Sequence, residues 1–300
     1  MASPVAVVSD TTGYLPADLV AANGISLVSL YVNWEDGSER EADMPDFDAF
    51  YERLATTDRL PTTSQPSIGD FLAVYEPLLA DGRDVVSVHI SGGISGTVDS
   101  ARQAAAQVDP GGERVTVIDS ERACGGLGLI TLAAAAAARR GAPREEVVER
   151  ATAARADLKM WFAVDTLEYL RRGGRIGAAS AWLGTALKIK PILTLDREIT
   201  PVERVRTGAR ALRRLADYAE QRRDDGADGW VVQHIQAPEE AKALIAEGED
   251  LFGSPPLFVS EIGPVIGAHT GPGLLGIGGV PSHHLTGAVF PVATAAGEAT

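Results

Sequence analysis

The fold of this chain is decided by the stretch VVSVHISGGISGTVDSARQAAAQ, residues 85–107. Its first six residues are mostly apolar and β-branched, which is typical of a strand that is buried on both faces. A turn rich in glycine and serine follows at 91–97, and a helix is then predicted through about Gln107. Another apolar strand is predicted at 115–118. This strand–helix–strand order favours a parallel sheet covered by helices.

The same alternation extends through the rest of the first half. Ser67 and Asp70 match a capping box, which predicts the start of a helix at this point. Pro77 lies inside that helical pattern and is expected to bend the helix or end it early. The remaining predicted elements are strands at 5–8 and 25–32 and helices at 126–140 and 143–158. Residues 1–159 are therefore interpreted as an α/β domain with a parallel sheet.

The second half is less regular and predicts an α+β domain over residues 160–280. Strands are predicted at 160–164 and 191–195, and the second is expected to pair with 199–205 as a hairpin across Asp196-Arg197. The other predicted elements are a helix at 207–225, a strand at 229–235, a helix at 238–251, a strand at 257–262 and a glycine-rich loop at 263–279. Residues 281–300 lack periodicity and are expected to form a loose tail, so His283 and His284 receive no role.

Composition limits the class of protein. The chain has 300 residues, of which 45% are hydrophobic and 23% charged, as in ordinary globular proteins. No run approaches the roughly 18 apolar residues of a membrane span, and the start lacks the pattern of a secretory signal. The single cysteine, Cys124, excludes an intramolecular disulfide and a cysteine-rich zinc site. We therefore expect a cytoplasmic protein.

The net charge of −14 limits the partners of the chain. It disfavours general nucleic-acid binding, which depends on Lys and Arg neutralising phosphates. It also disfavours spontaneous docking on an anionic membrane surface. The basic stretch RRGGR at 171–175 remains a candidate for binding a single anion.

Small hydroxyl residues follow three of the predicted strands, at 10–12, 91–97 and 119–120. Ligands collect at the carboxyl ends of the strands in an open parallel sheet, and a free helix N-terminus attracts anions. The alternative is that these serines and threonines only cap helices. The turn at 91–97 matches neither G-x-G-x-x-G nor the P-loop pattern, which counts against a nucleotide site.

Six motifs between residues 5 and 278 resemble, in order, those of the DegV family. They are VVSDTT (7–12), TTSQPS (62–67), HIS through SGT (89–97), VIDS with GGLG (117–120 and 125–128), DTLEYL with GGRI running on into KIKPIL (165–193), and GPVIGAHTGPG (263–273). The resemblance implies a two-domain DegV-like fold with one long-chain fatty acid in a tunnel between the domains. Burying about 14 methylenes of a 16-carbon chain contributes on the order of 10 kcal/mol before binding costs are subtracted.

The resemblance also implies what the chain does with its ligand. It implies a non-catalytic carrier, without cofactor or metal, that presents the acyl carboxylate to a separate fatty-acid kinase subunit for acyl-phosphate formation. The ligand-binding residues that it implies fall in four segments: Thr62, Thr63 and Ser64; Ser91, Gly92 and Ser95; Arg171, Arg172 and Arg175; and His269 and Thr270. Many relatives have two serines where this chain has Ser91-Gly92, so a contact at Gly92 is restricted to its N–H. For the arginines, a solvated helix end is the alternative.

Three other classes of function compete with the carrier. A serine-dependent acyl hydrolase or transferase needs a base, for which His89 and His269 are candidates. The sequence shows no G-x-S-x-G motif and no third orienting group for it. A nucleotide-binding domain fits the α/β alternation but lacks the phosphate fingerprints, and a transcriptional regulator conflicts with the negative charge.

Overall fold

The computed structural model describes residues 3–44, 46–183 and 189–291. The first half contains strands β1 (Val5–Asp10), β2 (Ile25–Val28), β3 (Tyr31–Trp34), β4 (Gly37–Arg40), β5 (Thr62–Ser64), β6 (Asp84–His89) and β7 (Val115–Asp119). Its helices are α1 (Ala17–Asn23), α2 (Asp48–Thr56), α3 (Ile68–Ala80), α4 (Thr97–Val108), α5 (Cys124–Arg139) and α6 (Arg144–Asp157).

The second half is built around longer antiparallel pairs. Its strands are β8 (Lys159–Ala163), β9 (Lys190–Asp196), β10 (Glu198–Val205), β11 (Gly229–His234), β12 (Val259–Glu261) and β13 (Leu275–Val280). Its helices are α7 (Glu168–Arg172), α8 (Gly208–Asp224), α9 (Pro238–Phe252) and α10 (Pro264–Thr270).

Strands of the first half form a four-stranded sheet in the order β2-β1-β6-β7, and every pair in it is parallel. β1 lies beside β6, with Val7 opposite Val86, and all six of its residues are buried. Helices α3 and α4 pack on one face of the sheet, and α5 and α6 pack on the other. Continuous burial explains the apolar runs of these strands, and the predicted parallel α/β sheet is confirmed.

Helix α5 is the central layer of the molecule. It contacts β1 and β6 of the parallel sheet on one side and β11 and β13 of the second sheet on the other. Every residue from Gly125 to Ala138 is buried, which explains why the sequence here is almost entirely alanine, leucine and glycine. No helix in the described part of the chain, α5 included, is long and apolar enough to cross a bilayer.

The second sheet has six strands in the order β10-β9-β8-β13-β11-β12. β9 and β10 form an antiparallel hairpin with Asp196 opposite Glu198, as the sequence predicts. Its turn residue, Arg197, has a φ of 64°. Helices α8 and α9 cover the outer face, where Trp230 and Leu215 lie in a separate apolar cluster. The sheet is mixed, since β11 and β12 are parallel while the other pairs are antiparallel.

The prediction of a glycine-rich loop at 263–279 is wrong. Most of this segment forms helix α10 and the first residues of β13, a buried strand between β8 and β11. Glycine is required there because a Cβ at Gly278 would lie 2.5 Å from Cβ of Met160. Close approach between backbones, and not a turn, selects glycine at this strand.

One small sheet was not predicted from the sequence. β4, β3 and β5 form a separate three-stranded antiparallel sheet, which places Thr63 opposite Val32.

Helix α3 opens with the predicted capping box between Ser67 and Asp70. It continues past Pro77 and ends three residues later, so the proline does not end it early.

The segment after β13 is partly ordered against the rest of the protein. Residues 282–285 form a 3-10 helix in which His284 and Leu285 are buried. Leu285 belongs to the largest apolar cluster of the molecule. The expected loose tail therefore does not begin at residue 281, and its part from 292 to 300 lies outside the described residues.

Candidate functional site

A cavity lies between the two large sheets. The centre of a water-sized sphere can occupy about 90 Å³ of it. Residues from the ends of β6 and β9, from β8 and from the N-terminus of α5 contribute to the wall. The cavity thus lies at the carboxyl end of the parallel sheet, where open α/β sheets bind their ligands.

Most of the cavity wall is apolar. Apolar side chains from both halves of the chain supply it: Leu30, Ile90, Ile94, Met160, Phe162, Leu170, Leu195, Ile199, Ile262, Val265, Ile266 and Leu274. Such a wall favours a hydrocarbon because it offers dispersion contacts and releases apolar surface from water.

Polar groups gather at one part of the wall. Thr63 Oγ1 lies 2.7 Å from His269 Nε2, which joins strand β5 to the end of helix α10. Ser95 and Arg175 line the cavity as well. Arg175 donates from Nε to the carbonyl of Ile94 at 3.2 Å, and no carboxylate of the described residues pairs with it. A guanidinium held in this way is available to an anionic ligand.

His269 is neutral at physiological pH. Burial, and to a lesser extent the nearby positive charge of Arg175, lower the pKa of its imidazole to about 4. Nδ1 is buried and has no hydrogen-bond partner in the described part of the chain. An anion placed beside this ring would favour its protonated form and raise the pKa.

Two residues far away in sequence position helix α10, which carries His269. The Glu41 carboxylate accepts a hydrogen bond from the Val265 N–H at 2.8 Å, and the Tyr14 hydroxyl accepts one from the Ile266 N–H at 3.2 Å. These N–H groups lie in the first turn of α10 and have no partner within the helix. Burial raises the pKa of Glu41, and hydrogen bonds from Thr11, Val265 and Tyr14 oppose that shift. No local sequence pattern indicated this pairing.

Gly173 fixes the imidazole from the other side. A Cβ at this position would lie 2.2 Å from His269 Nδ1. The ring therefore packs directly on the backbone that follows helix α7, and glycine is the residue that leaves room for it.

The structure brings together some of the residues named from the sequence and leaves others away from the cavity. Those that line it are Thr63, Ser64, Ser95, Arg175, His269 and Thr270. Ser91 is fully buried and donates to the carbonyl of Arg197 at 2.6 Å. The N–H of Gly92 donates to Asp119 Oδ1 at 3.1 Å. Ser91 therefore connects the two halves, Gly92 connects two strand ends of the first half, and neither residue lines the cavity.

Thr62 and Arg172 lie in a second depression just outside the polar end. We call this depression, lined by residues 59–63, 172, 173, 175, 268 and 269, the outer basin. It shares Thr63, Arg175 and His269 with the cavity, so the two spaces adjoin there. Arg171 lines neither space. It is exposed and donates from Nε to Glu168 at 2.9 Å, as expected for a solvated helix end.

The sequence did not indicate two polar residues in the wall, Gln65 and Gln233. Gln233 is buried and donates from Nε2 to Ser260 Oγ at 2.7 Å, so its amide is occupied by the protein itself. Cys124 also lines the cavity, and burial raises the pKa of its thiol. Among the described residues, no group of His, Cys, Asp or Glu side chains on this wall is arranged to hold a metal ion.

Known proteins resemble this chain in sequence and in structure. A family model described as an uncharacterised protein of the DegV family matches residues 4–282.

The chain belongs to the DegV family.

A DegV domain-containing protein of Streptomyces coelicolor is 41% identical over 280 residues, covering 92% of this chain and 98% of the relative. Protein DegV of Bacillus subtilis is 36% identical over 279 residues, covering 91% and 98%.

Solved DegV structures have the same fold. A structure described as fatty acid binding of a DegV family protein from Thermus thermophilus is 34% identical, with a TM-score of 0.83 over 92% of this chain and 99% of that one. The structure of DegV from Bacillus subtilis, described as a fatty acid binding protein, is 35% identical, with the same TM-score and the same coverage.

One buried cluster in this DegV chain has the connectivity of a catalytic triad. His89 Nδ1 lies 3.0 Å from Asp10 Oδ2, and its Nε2 lies 2.6 Å from Ser87 Oγ. Each of the three residues is at most 1% exposed, and none lines the cavity between the sheets. Tyr75 also donates to Ser87. Since a nucleophile must reach its substrate, the geometry is that of a buried network between strands.

Proposed function

We propose that this chain binds one long-chain fatty acid in the cavity between its sheets and acts as a carrier without a cofactor. The observation that carries the proposal is an apolar cavity with polar groups at one end. The apolar wall suits a hydrocarbon chain, and the polar end suits a carboxylate. The description of two relatives as fatty-acid-binding proteins supports this assignment.

The carboxylate is proposed to lie among Thr63, Ser95, Arg175 and His269. The two hydroxyls can donate hydrogen bonds, and the guanidinium supplies a positive charge that no carboxylate of the described chain neutralises. Hydrogen bonds to charged groups contribute about 1.5–3 kcal/mol each. This is enough to fix the orientation of a ligand whose affinity comes from its hydrocarbon chain.

The outer basin adjoins the polar end of the cavity, so a partner protein could reach the carboxylate from there. A group added to the carboxylate would project into this basin, where Arg172 is exposed and Arg175 forms part of the wall. Guanidinium groups suit phosphoryl oxygens. We therefore propose that a separate ATP-dependent kinase, in the cytoplasm, phosphorylates the bound carboxylate at this opening, and that the chain then holds the acyl phosphate.

Mass spectrometry of an organic extract of the purified protein tests the carrier proposal. We expect close to one fatty acid per chain in the wild type and a large loss in Arg175→Gln. Removing one partner of a buried charge pair costs about 2–5 kcal/mol. Arg171→Gln is the matched control, since an exposed ion pair contributes about 0–1 kcal/mol. No lipid in the extract, and no rise in melting temperature on adding fatty acid, would refute the proposal.

Trapping with hydroxylamine tests the kinase step separately. ATP and the isolated chain should give no acyl hydroxamate, whereas addition of a purified fatty-acid kinase should give a signal that depends on the loaded carrier. Arg172→Ala should lower this signal without changing the fatty-acid content. Hydroxamate formation by the isolated chain would contradict a purely carrying role.

A further inference from the structure

A group of potential metal ligands lies where helix α6 ends against the C-terminal 3-10 helix. Asp157 is the last residue of α6, and His283 and His284 belong to the 3-10 helix of residues 282–285. One ligand atom from each of the three side chains lies within 4.8 Å of the other two. We propose that Asp157, His283 and His284 bind a divalent transition-metal ion of the zinc type.

The spacing of the ligand atoms suits such an ion after small movements. Zinc binds imidazole nitrogen and carboxylate oxygen at about 2.0–2.2 Å, so tetrahedral ligand atoms stand about 3.4 Å apart. His284 Nε2 and Asp157 Oδ2 are now 2.7 Å apart and would separate slightly. His283 and Asp157 are exposed, and rotation of their side chains can supply the rest of the adjustment.

His284 is already turned toward Asp157. Its side chain is 5% exposed, and its Nε2 lies 2.7 Å from Asp157 Oδ2. The ion would bind Nε2 in place of this hydrogen bond, and Nδ1 would then carry the proton of the neutral imidazole. Because the buried ring is already held in this orientation, it loses little rotamer freedom when it binds the ion.

The backbone that carries the two histidines is already fixed. Arg150 donates from Nη1 to the carbonyl of His283 at 2.9 Å, and Asp228 accepts from the N–H of Ser282 at 2.7 Å. The segment is therefore ordered without the ion, and metal binding does not bear the entropy cost of ordering its backbone. Two imidazoles and one carboxylate suit zinc and neighbouring metals, and three protein ligands leave one position for water.

The proposed ion would tie the C-terminal segment to the first half of the molecule. Asp157 ends the helix that precedes β8, whereas His283 and His284 follow β13 at the end of the second sheet. None of the three residues lines the fatty-acid cavity. The proposal is accordingly independent of the proposed function, and we assign the ion a stabilising role.

Titration calorimetry of the full-length, tag-free protein with Zn²⁺, after treatment with a chelator, tests the site. We expect one ion per chain and a higher melting temperature with Zn²⁺ than with chelator. His283→Ala and Asp157→Asn should each weaken binding by more than the roughly 10–100-fold that follows loss of a ligand's hydrogen-bond partner. Both positions are exposed at the surface, so both variants should fold.

His234→Gln is the matched control, because this histidine lies on β11 outside the proposed site. It should keep the zinc affinity and the zinc-dependent rise in melting temperature. Circular dichroism checks the fold of every variant. A wild-type protein that binds no Zn²⁺, or binding that is unchanged in both His283→Ala and Asp157→Asn, would overturn the proposal.

Discussion

Replacement of His269 by glutamine should change how the stability of the protein depends on pH. The ordinary pKa of histidine is 6.5, and burial together with Arg175 lowers that of His269 to about 4 in the folded protein. Between these values the unfolded chain binds a proton that the folded protein does not bind. Folding stability therefore falls as pH drops through this window. The linkage relation gives a loss of about 2 kcal/mol between pH 7 and pH 5.

Glutamine cannot titrate, but its amide can still reach the Thr63 hydroxyl. We expect urea unfolding of the lipid-free proteins at pH 7 and pH 5 to show a wild-type loss that exceeds the His269→Gln loss by about 2 kcal/mol. Bound fatty acid should shrink this difference, because a carboxylate beside the imidazole raises its pKa. Equal pH dependence in the two lipid-free proteins would refute the assignment of a buried, neutral His269.

Three further substitutions test the packing around the site and the core. Gly173→Ala should displace the imidazole of His269, weaken fatty-acid binding and cost about 1–3 kcal/mol in denaturant unfolding. Its control, Gly208→Ala, adds a methyl where nothing lies within 4 Å and should leave both quantities unchanged within about 0.5 kcal/mol. Gly278→Ala should lower the melting temperature by forcing β13 away from β8, and a wild-type melting curve would contradict that close approach. Leu285→Ala should cost about 2–5 kcal/mol, and a neutral result would mean that the C-terminal segment lies outside the core.

The parts of the fold that could be predicted are those in which local chemistry and tertiary structure agree. The capping box at Ser67 and Asp70 and the apolar run of β6 each specify their own element. β13 could not be predicted in this way, because glycine is required at 278 by the close approach of Met160 on β8, a strand far away in sequence. Glycines that are required by a neighbouring strand do not produce the alternating pattern by which a strand is recognised in a sequence.

The site residues also divide into those that a local motif could indicate and those that depend on distant parts of the chain. Motif resemblance pointed to Thr63, Ser95 and His269, and the structure places all three on the cavity wall. It could not separate them from Ser91, because that hydroxyl is taken by the carbonyl of Arg197, a partner 106 residues away. The support of α10 by Glu41 was equally hidden, since a buried carboxylate that caps a distant helix leaves no local signal.

The position of helix α5 has a consequence for how quickly a ligand can be exchanged. This 16-residue helix packs against both sheets, so a hinge motion that parted the two halves would strip one of its apolar faces from its neighbours. Exchange of the ligand should instead depend on local opening of three short elements at the polar end, β5, α7 and α10. Local motions of short segments are faster than rearrangements of whole domains. Dissociation rates should therefore respond to substitutions in α7 and α10 even where the apolar wall is unchanged.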